Sequence, residues 1–180
     1  MANLLYVDNS NVWIEGIHVA AYKSGMATDV WTAVKGNICE HSWKIDFGKL
    51  FSFAGGDKKE VRKAALFGSK PPNNDSLWSA AERNGFEVII YDRNVVNAEK
   101  KIDTDIVATM IEDSYEILQP GDEITLVSGD SDYVPAIEKL KKRGIPVHVV
   151  FWKHASRDIK DAATSFTELD QWLEHLKLQN

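Results

Sequence analysis

Five short runs rich in apolar β-branched and aromatic residues recur along the 180-residue chain: Leu4 to Val7, Arg62 to Phe67, Glu87 to Tyr91, Ile124 to Val127 and Pro146 to Phe151. Runs of this length and composition read as strands. Their near-continuous apolar character means that both faces of each strand must be covered, which is the condition of a parallel sheet packed between helices. The segments between them have helical spacing, so strands and helices alternate and the class is α/β.

The expected helix from about Tyr133 to Lys142 is the best bounded: Ser131 or Asp132 caps its start, Pro135 is tolerated in its first turn and Gly144 follows its end. A helix expected from about Asp103 to Leu118 places Ile106, Val107, Met110, Ile111 and Leu118 on one stripe and stops at Gln119-Pro120-Gly121. Others are expected from about Asn73 to Asn84 and after Asn9, and a last one over 166–178 with Leu169, Trp172, Leu173 and Leu176 facing inward. Residues 24–42 interrupt the alternation and contain Trp31 and Cys39, which predicts an insertion. Its apolar residues would serve either a homodimer contact or internal packing. The length suits a single domain over 1–180.

A parallel sheet gathers the residues that follow its strands along one edge. Asp8 follows the first strand, Asp130 and Asp132 follow the fourth, and Asp103 opens the helix leading from the third strand to the fourth. With strand order 3-2-1-4-5, strands one and four are neighbours and a crevice opens between them where the winding reverses. Carboxylates brought within ~4 to 6 Å of one another there resist ionising together unless a cation neutralises them. Hard oxygen donors, with no suitably spaced His or Cys, favour Mg2+ or Mn2+ over zinc, as one ion or two. Singly, each acid has a plainer reading: Asp8 as a strand-end cap, and Asp103 and Asp132 as helix caps that stabilise by roughly 1 kcal/mol. Caps alone do not require acids at three chain segments that converge on one crevice.

Several function classes are excluded. With 21 Lys+Arg against 27 Asp+Glu the net charge is -6, so a polyanion is not gripped by the overall field and must be met locally. Local basic clusters occur at Lys58 to Lys63, at Lys100 and Lys101, at Lys139 to Arg143 and at Lys153 to Lys160. A lone cysteine, Cys39, rules out a disulfide framework and suits a reducing cytoplasm. No signal peptide is expected from Met-Ala-Asn-Leu-Leu-Tyr-Val-Asp, and no window reaches the ~18 apolar residues of a membrane span. There is no nucleophile elbow, no phosphate-binding loop and no dinucleotide fingerprint.

Three motifs carry a resemblance: Val7-Asp8-Asn9-Ser10-Asn11-Val12, Glu99-Lys100-Lys101-Ile102-Asp103-Thr104-Asp105, and Leu126-Val127-Ser128-Gly129-Asp130-Ser131-Asp132-Tyr133. In order and spacing they resemble the NYN family of PIN-like nucleases, LabA-like proteins among them, over nearly the whole chain except 24–42. The resemblance implies a three-layer α/β/α PIN-like fold, an acidic metal site of Asp8, Asp103, Asp130 and Asp132, and RNA as substrate. Asn11 and Ser128 match polar positions lining that site, and Lys100 matches a lysine able to reach a phosphate. Where the family often has an acid, this chain has Thr164, with Asp161 one turn earlier.

The expected chemistry is hydrolysis of single-stranded RNA by a metal-activated water. Asp103 would complete the metal site or orient the water, and Lys100 or Lys101 would hold the phosphate. Trp13, Tyr133 or Trp152 offer surfaces for stacking on bases. Two rivals stand beside this reading: an inactive RNA- or protein-binding module on the same fold, and a receiver-like phosphorylation switch using Asp92, Ser128 and Lys153. The lone acid after the first strand opposes the switch, since such proteins usually have two there.

Overall fold

In a computed structural model, which describes residues 2–70, 75–92 and 98–179, the chain forms a parallel sheet flanked by helices on both sides. The strands are β1 (Asn3–Asp8), β2 (Val61–Lys70), β3 (Glu87–Asp92), β4 (Glu123–Val127), β5 (Val147–Phe151) and β6 (Ser165–Glu168), in the order β3-β2-β1-β4-β5-β6. The five expected strands are all present in the expected order, and the sixth extends the β5 edge. Every residue of β1 is buried, as a central strand covered on both faces requires.

The helices are α1 (Asn9–Lys23), α2 (Val30–Lys35), α3 (Phe47–Gly55), α4 (Asp75–Arg83), α5 (Ala98–Glu116), α6 (Val134–Lys142) and α7 (Arg157–Ala162). Side chains alternate across a strand, so neighbouring β1 residues report opposite layers. Leu5 meets α3 near Gly55, whereas the Tyr6 hydroxyl donates to Asp113 of α5 at 2.7 Å. These two helices therefore sandwich the sheet. Among the described residues no helix is long and apolar enough to cross a membrane.

Two expectations are corrected. The tail over 166–178 is not a helix: β6 pairs in parallel with β5 from His148↔Ser165 to Phe151↔Glu168, and a 3-10 turn over Asp170–Trp172 follows. The open edge of β5 needed partners for its backbone groups, and that demand outweighs the helical spacing of the tail. Leu169, Leu173 and Leu176 still point inward, while Trp172 is exposed. The helix expected to open at Asp103 instead begins at Ala98, because Ala-Glu-Lys-Lys propagates a helix well. Asp103 thus lies in its second turn. The helix expected from about Tyr133 to Lys142 is present as α6, preceded by a 3-10 turn over Ser131–Tyr133.

Residues 24–42 fold onto α1. Asp29 caps α2, Ala33 is buried, and the Glu40 N–H donates to the Ile17 carbonyl at 3.0 Å. Met26 and Trp31 of this segment remain exposed.

Candidate metal centre

The site starts where β1 and β4 end. Asp8 is the last residue of β1 and also the N-cap of α1, its Oδ1 accepting from the Asn11 N–H at 3.1 Å. Asp8 thus caps the helix as well as ending the strand, and this hydrogen bond orients its carboxyl group. One turn into α1, the Asn11 Oδ1 accepts from the Ser128 hydroxyl at 3.1 Å and from the Gly129 N–H at 3.0 Å. Asn11 thereby ties the exit of β4 to the exit of β1. Ser128 is fully buried with its hydroxyl turned to Asn11, so it positions the loop.

Gly129 is needed for close approach. An added Cβ would lie 2.2 Å from Cδ1 of Phe151, so only a hydrogen fits where the loop crosses that ring. Beyond it, Asp130 caps the 3-10 turn by accepting from the Asp132 N–H at 3.0 Å. That turn delivers Tyr133, which is fully buried. Its hydroxyl lies 3.1 Å from Oδ2 of Asp8 and 3.0 Å from Oδ1 of Asp103.

A phenol has one proton, and here two carboxyl groups compete for it. Burial raises the Asp8 pKa from 3.8 to about 6, helped by the charges of Asp103 and Asp130 and opposed by the hydrogen bonds from Asn11 and Tyr133. The Tyr133 phenol is pushed up by burial first and then by the charges of Asp8 and Asp103, so it keeps its proton.

Asp103, Asp130 and Asp132 each offer one carboxylate oxygen, and the three atoms lie within 4.8 Å of one another. Asp8 stands outside this trio but lines the same cleft of about 170 Å³, with Ser10, Asn11, Ile14, Glu15, Ile102, Asp103 and Asp130. Oxygen donors at this spacing, without nitrogen or sulfur, fit a hard divalent cation. Glu15 at the rim is paired with the His154 Nε2 at 2.5 Å, and His154 is in turn covered edge-on by Trp31 at 5.6 Å between ring centroids.

Other expected participants lie elsewhere. The Lys101 ammonium sits 5.2 Å from the centre of the Tyr91 ring and does not line the cleft. The Lys100 side chain lies outside the described residues. Trp152 cannot stack on a base: it is buried, with its indole N–H donating to the Val12 carbonyl at 2.8 Å. Thr164 accepts from the Val147 N–H and Asp161 pairs with Arg157 at 3.5 Å, so neither brings a further ligand. Asp92 and Lys153 are exposed and outside the cleft, so the constellation of a receiver-like switch is not assembled. Of the basic clusters, Arg62 is committed to Asp122 at 2.6 Å and Lys63 to Asp113 at 2.8 Å.

The residue that sequence reasoning missed is Tyr133, considered there only as a stacking surface. Its signal was an aromatic hydroxyl directly after the Asp130-Ser131-Asp132 motif. A search of curated proteins finds no match to this chain. The family model for the NYN domain matches residues 12–170, nearly all of the chain and most of the site just described. On that match, together with the parallel α/β/α fold, the chain belongs to the NYN domain family, a family of PIN-like nucleases.

Proposed function

We propose that the protein is a metal-dependent ribonuclease that hydrolyses phosphodiester bonds of single-stranded RNA, with Mg2+ or Mn2+ as cofactor. The single observation behind this reading is the convergence of Asp103, Asp130 and Asp132 within 4.8 Å, at a cleft lined by Asp103, Asp130 and the buried carboxyl group of Asp8. So much negative charge in one place calls for a compensating cation. When bound, a divalent ion supplies Lewis acidity that makes water nucleophilic at neutral pH and screens phosphate charge.

The chain's own residues do the rest. Asp103, Asp130 and Asp132 hold the ion. Asp8 adds its charge from behind the Tyr133 hydroxyl. Asn11 and Ser128 keep Asp130 in register with Asp8, and Lys100 is the proposed phosphate contact. Ile14 and Ile102 line the cleft with apolar surface, which strengthens the electrostatic interactions within it. The lone Cys39 suits a cytoplasmic setting.

The test is incubation of purified protein with end-labelled single-stranded RNA and Mn2+ or Mg2+, beside a chelated sample and the Asp130→Asn variant. Asparagine keeps the cap on Asp132, so this variant retains the turn and loses one ligand charge. Cleavage that disappears in both controls is expected. Cleavage that survives either would overturn the reading, and tight RNA binding without cleavage would favour a binding module instead.

A further inference from the structure

A second, larger cavity of about 540 Å³ adjoins the acidic cleft, and Ser10 lines both. Its walls include the rings of Trp13, Phe47 and Trp78. Trp78 is seated firmly: a Cβ added at Gly68 would lie 2.5 Å from its Cη2, so the ring rests on the bare backbone of β2. Two lining side chains, Asn9 and Trp78, are 5% and 4% exposed. The Asn9 side-chain Oδ1 and the Trp78 indole N–H have no hydrogen-bond partner among the described residues. Buried polar groups are normally paired, so an acceptor and a donor left over in the wall of one cavity point to a ligand that supplies their complements.

From this we infer that the cavity receives an unpaired nucleobase of the strand whose phosphate lies in the acidic cleft, an inference that rests on the function proposed above. A base is flat and has π faces to set against aromatic rings. Its edge also carries donor and acceptor groups side by side. The volume lies within the range of small-molecule pockets. The cavity and the cleft are neighbours, since Asn9 follows Asp8 in the chain and Ser10 lines both. Lys44 and Arg83 also line the cavity, and neither makes an ion pair among the described residues, so each is available to the sugar-phosphate backbone. A purely apolar ligand would use none of these groups.

The direct probe is the set of indole N–H resonances of the protein's six tryptophans, recorded on 15N-tryptophan-labelled protein with chelator present. The Trp78→Phe variant keeps an aromatic wall, removes the N–H and assigns its signal. Titration with adenosine or uridine 5′-monophosphate should move the Trp78 resonance saturably at millimolar nucleotide, with ribose 5-phosphate leaving it in place. A silent Trp78 resonance, or an equal response to ribose 5-phosphate, would overturn the inference. Filling the cavity with Ala80→Phe should raise KM for RNA cleavage by about tenfold, and by more than it lowers kcat, the pattern of lost substrate binding. An unchanged KM would count equally against the pocket. If the protein cleaves RNA and Trp78 stays silent, the pocket fails and the nuclease reading stands; if Trp78 responds and nothing is cleaved, the reverse holds.

Discussion

Replacing Asp8 by asparagine should stabilise the metal-free protein at neutral pH while removing one acid of the site. Asp8 is 5% exposed, and its pKa rises from 3.8 to about 6 chiefly because burial penalises the charged form. A carboxyl group whose pKa is raised on folding stabilises most below its unfolded value and loses that contribution as pH climbs through its folded value. Here the window runs from 3.8 to about 6. At about 1.36 kcal/mol for each tenfold change in proton affinity, the loss comes to about 3 kcal/mol. The carboxamide of Asp8→Asn carries no charge, remains a good N-cap for the Asn11 N–H through its oxygen, and turns its NH2 toward the Tyr133 hydroxyl, to whose oxygen it donates. Wild type should therefore fall behind the variant by about 3 kcal/mol between about pH 4 and about pH 7, then run parallel to it. Urea unfolding in chelator, with an m-value of ~2 kcal/mol/M, would read this as a widening of the two midpoints by about 1.5 M. A separation that stays constant over that range would refute the assignment of a buried, proton-retaining carboxyl group to Asp8.

Two further substitutions probe the scaffold. Tyr133→Phe removes the hydroxyl between Asp8 and Asp103 and should cost ~1–3 kcal/mol in chelator, the usual range for buried acceptors that lose their donor. It should also shift the acid-linked stability window upward, because Asp8 loses a hydrogen bond that favours its charged form; a window left in place would contradict the shared-proton geometry. Gly129→Ala forces a methyl group against Phe151 and should cost about 1–3 kcal/mol by overpacking. Because the β4 loop must move to make room, Mn2+-dependent cleavage should fall by more than thermal stability does, and a variant of full activity would show that the loop does not set the site.

Much of this architecture is legible in the residues themselves. The strands are readable because a buried parallel strand must be apolar along its whole length, and the sheet-edge rule then places Asp8, Asp130 and Asp132 together before any side chain is seen. What escaped depends on tertiary demand. β6 exists because β5 offered an unpaired edge, a need invisible in Ser165–Glu168 taken alone. α3 buries Phe47, Leu50, Phe51 and Ala54 at helical spacing, yet it has no counterpart among the expected elements. Asp103 was located correctly but attached to a helix start five residues too late, since the extra turn depends on the propensity of Ala-Glu-Lys-Lys and not on a cap. Tyr133 reaches the site only because a 3-10 turn rotates it inward, which no spacing rule foretells. Asn11 and Ser128 carry a role that their position beside the site does not reveal: they bond to each other and hold the loop.

The most direct measurement is a crystal soaked in Mn2+ and examined for anomalous scattering at the manganese edge. A peak bounded by carboxylate oxygens of Asp103, Asp130 and Asp132, and lost in Asp103→Asn crystals grown and soaked alike, is the expected result. A cleft free of anomalous signal, with manganese bound only at other acidic groups, would contradict the claim that these aspartates form one cation site.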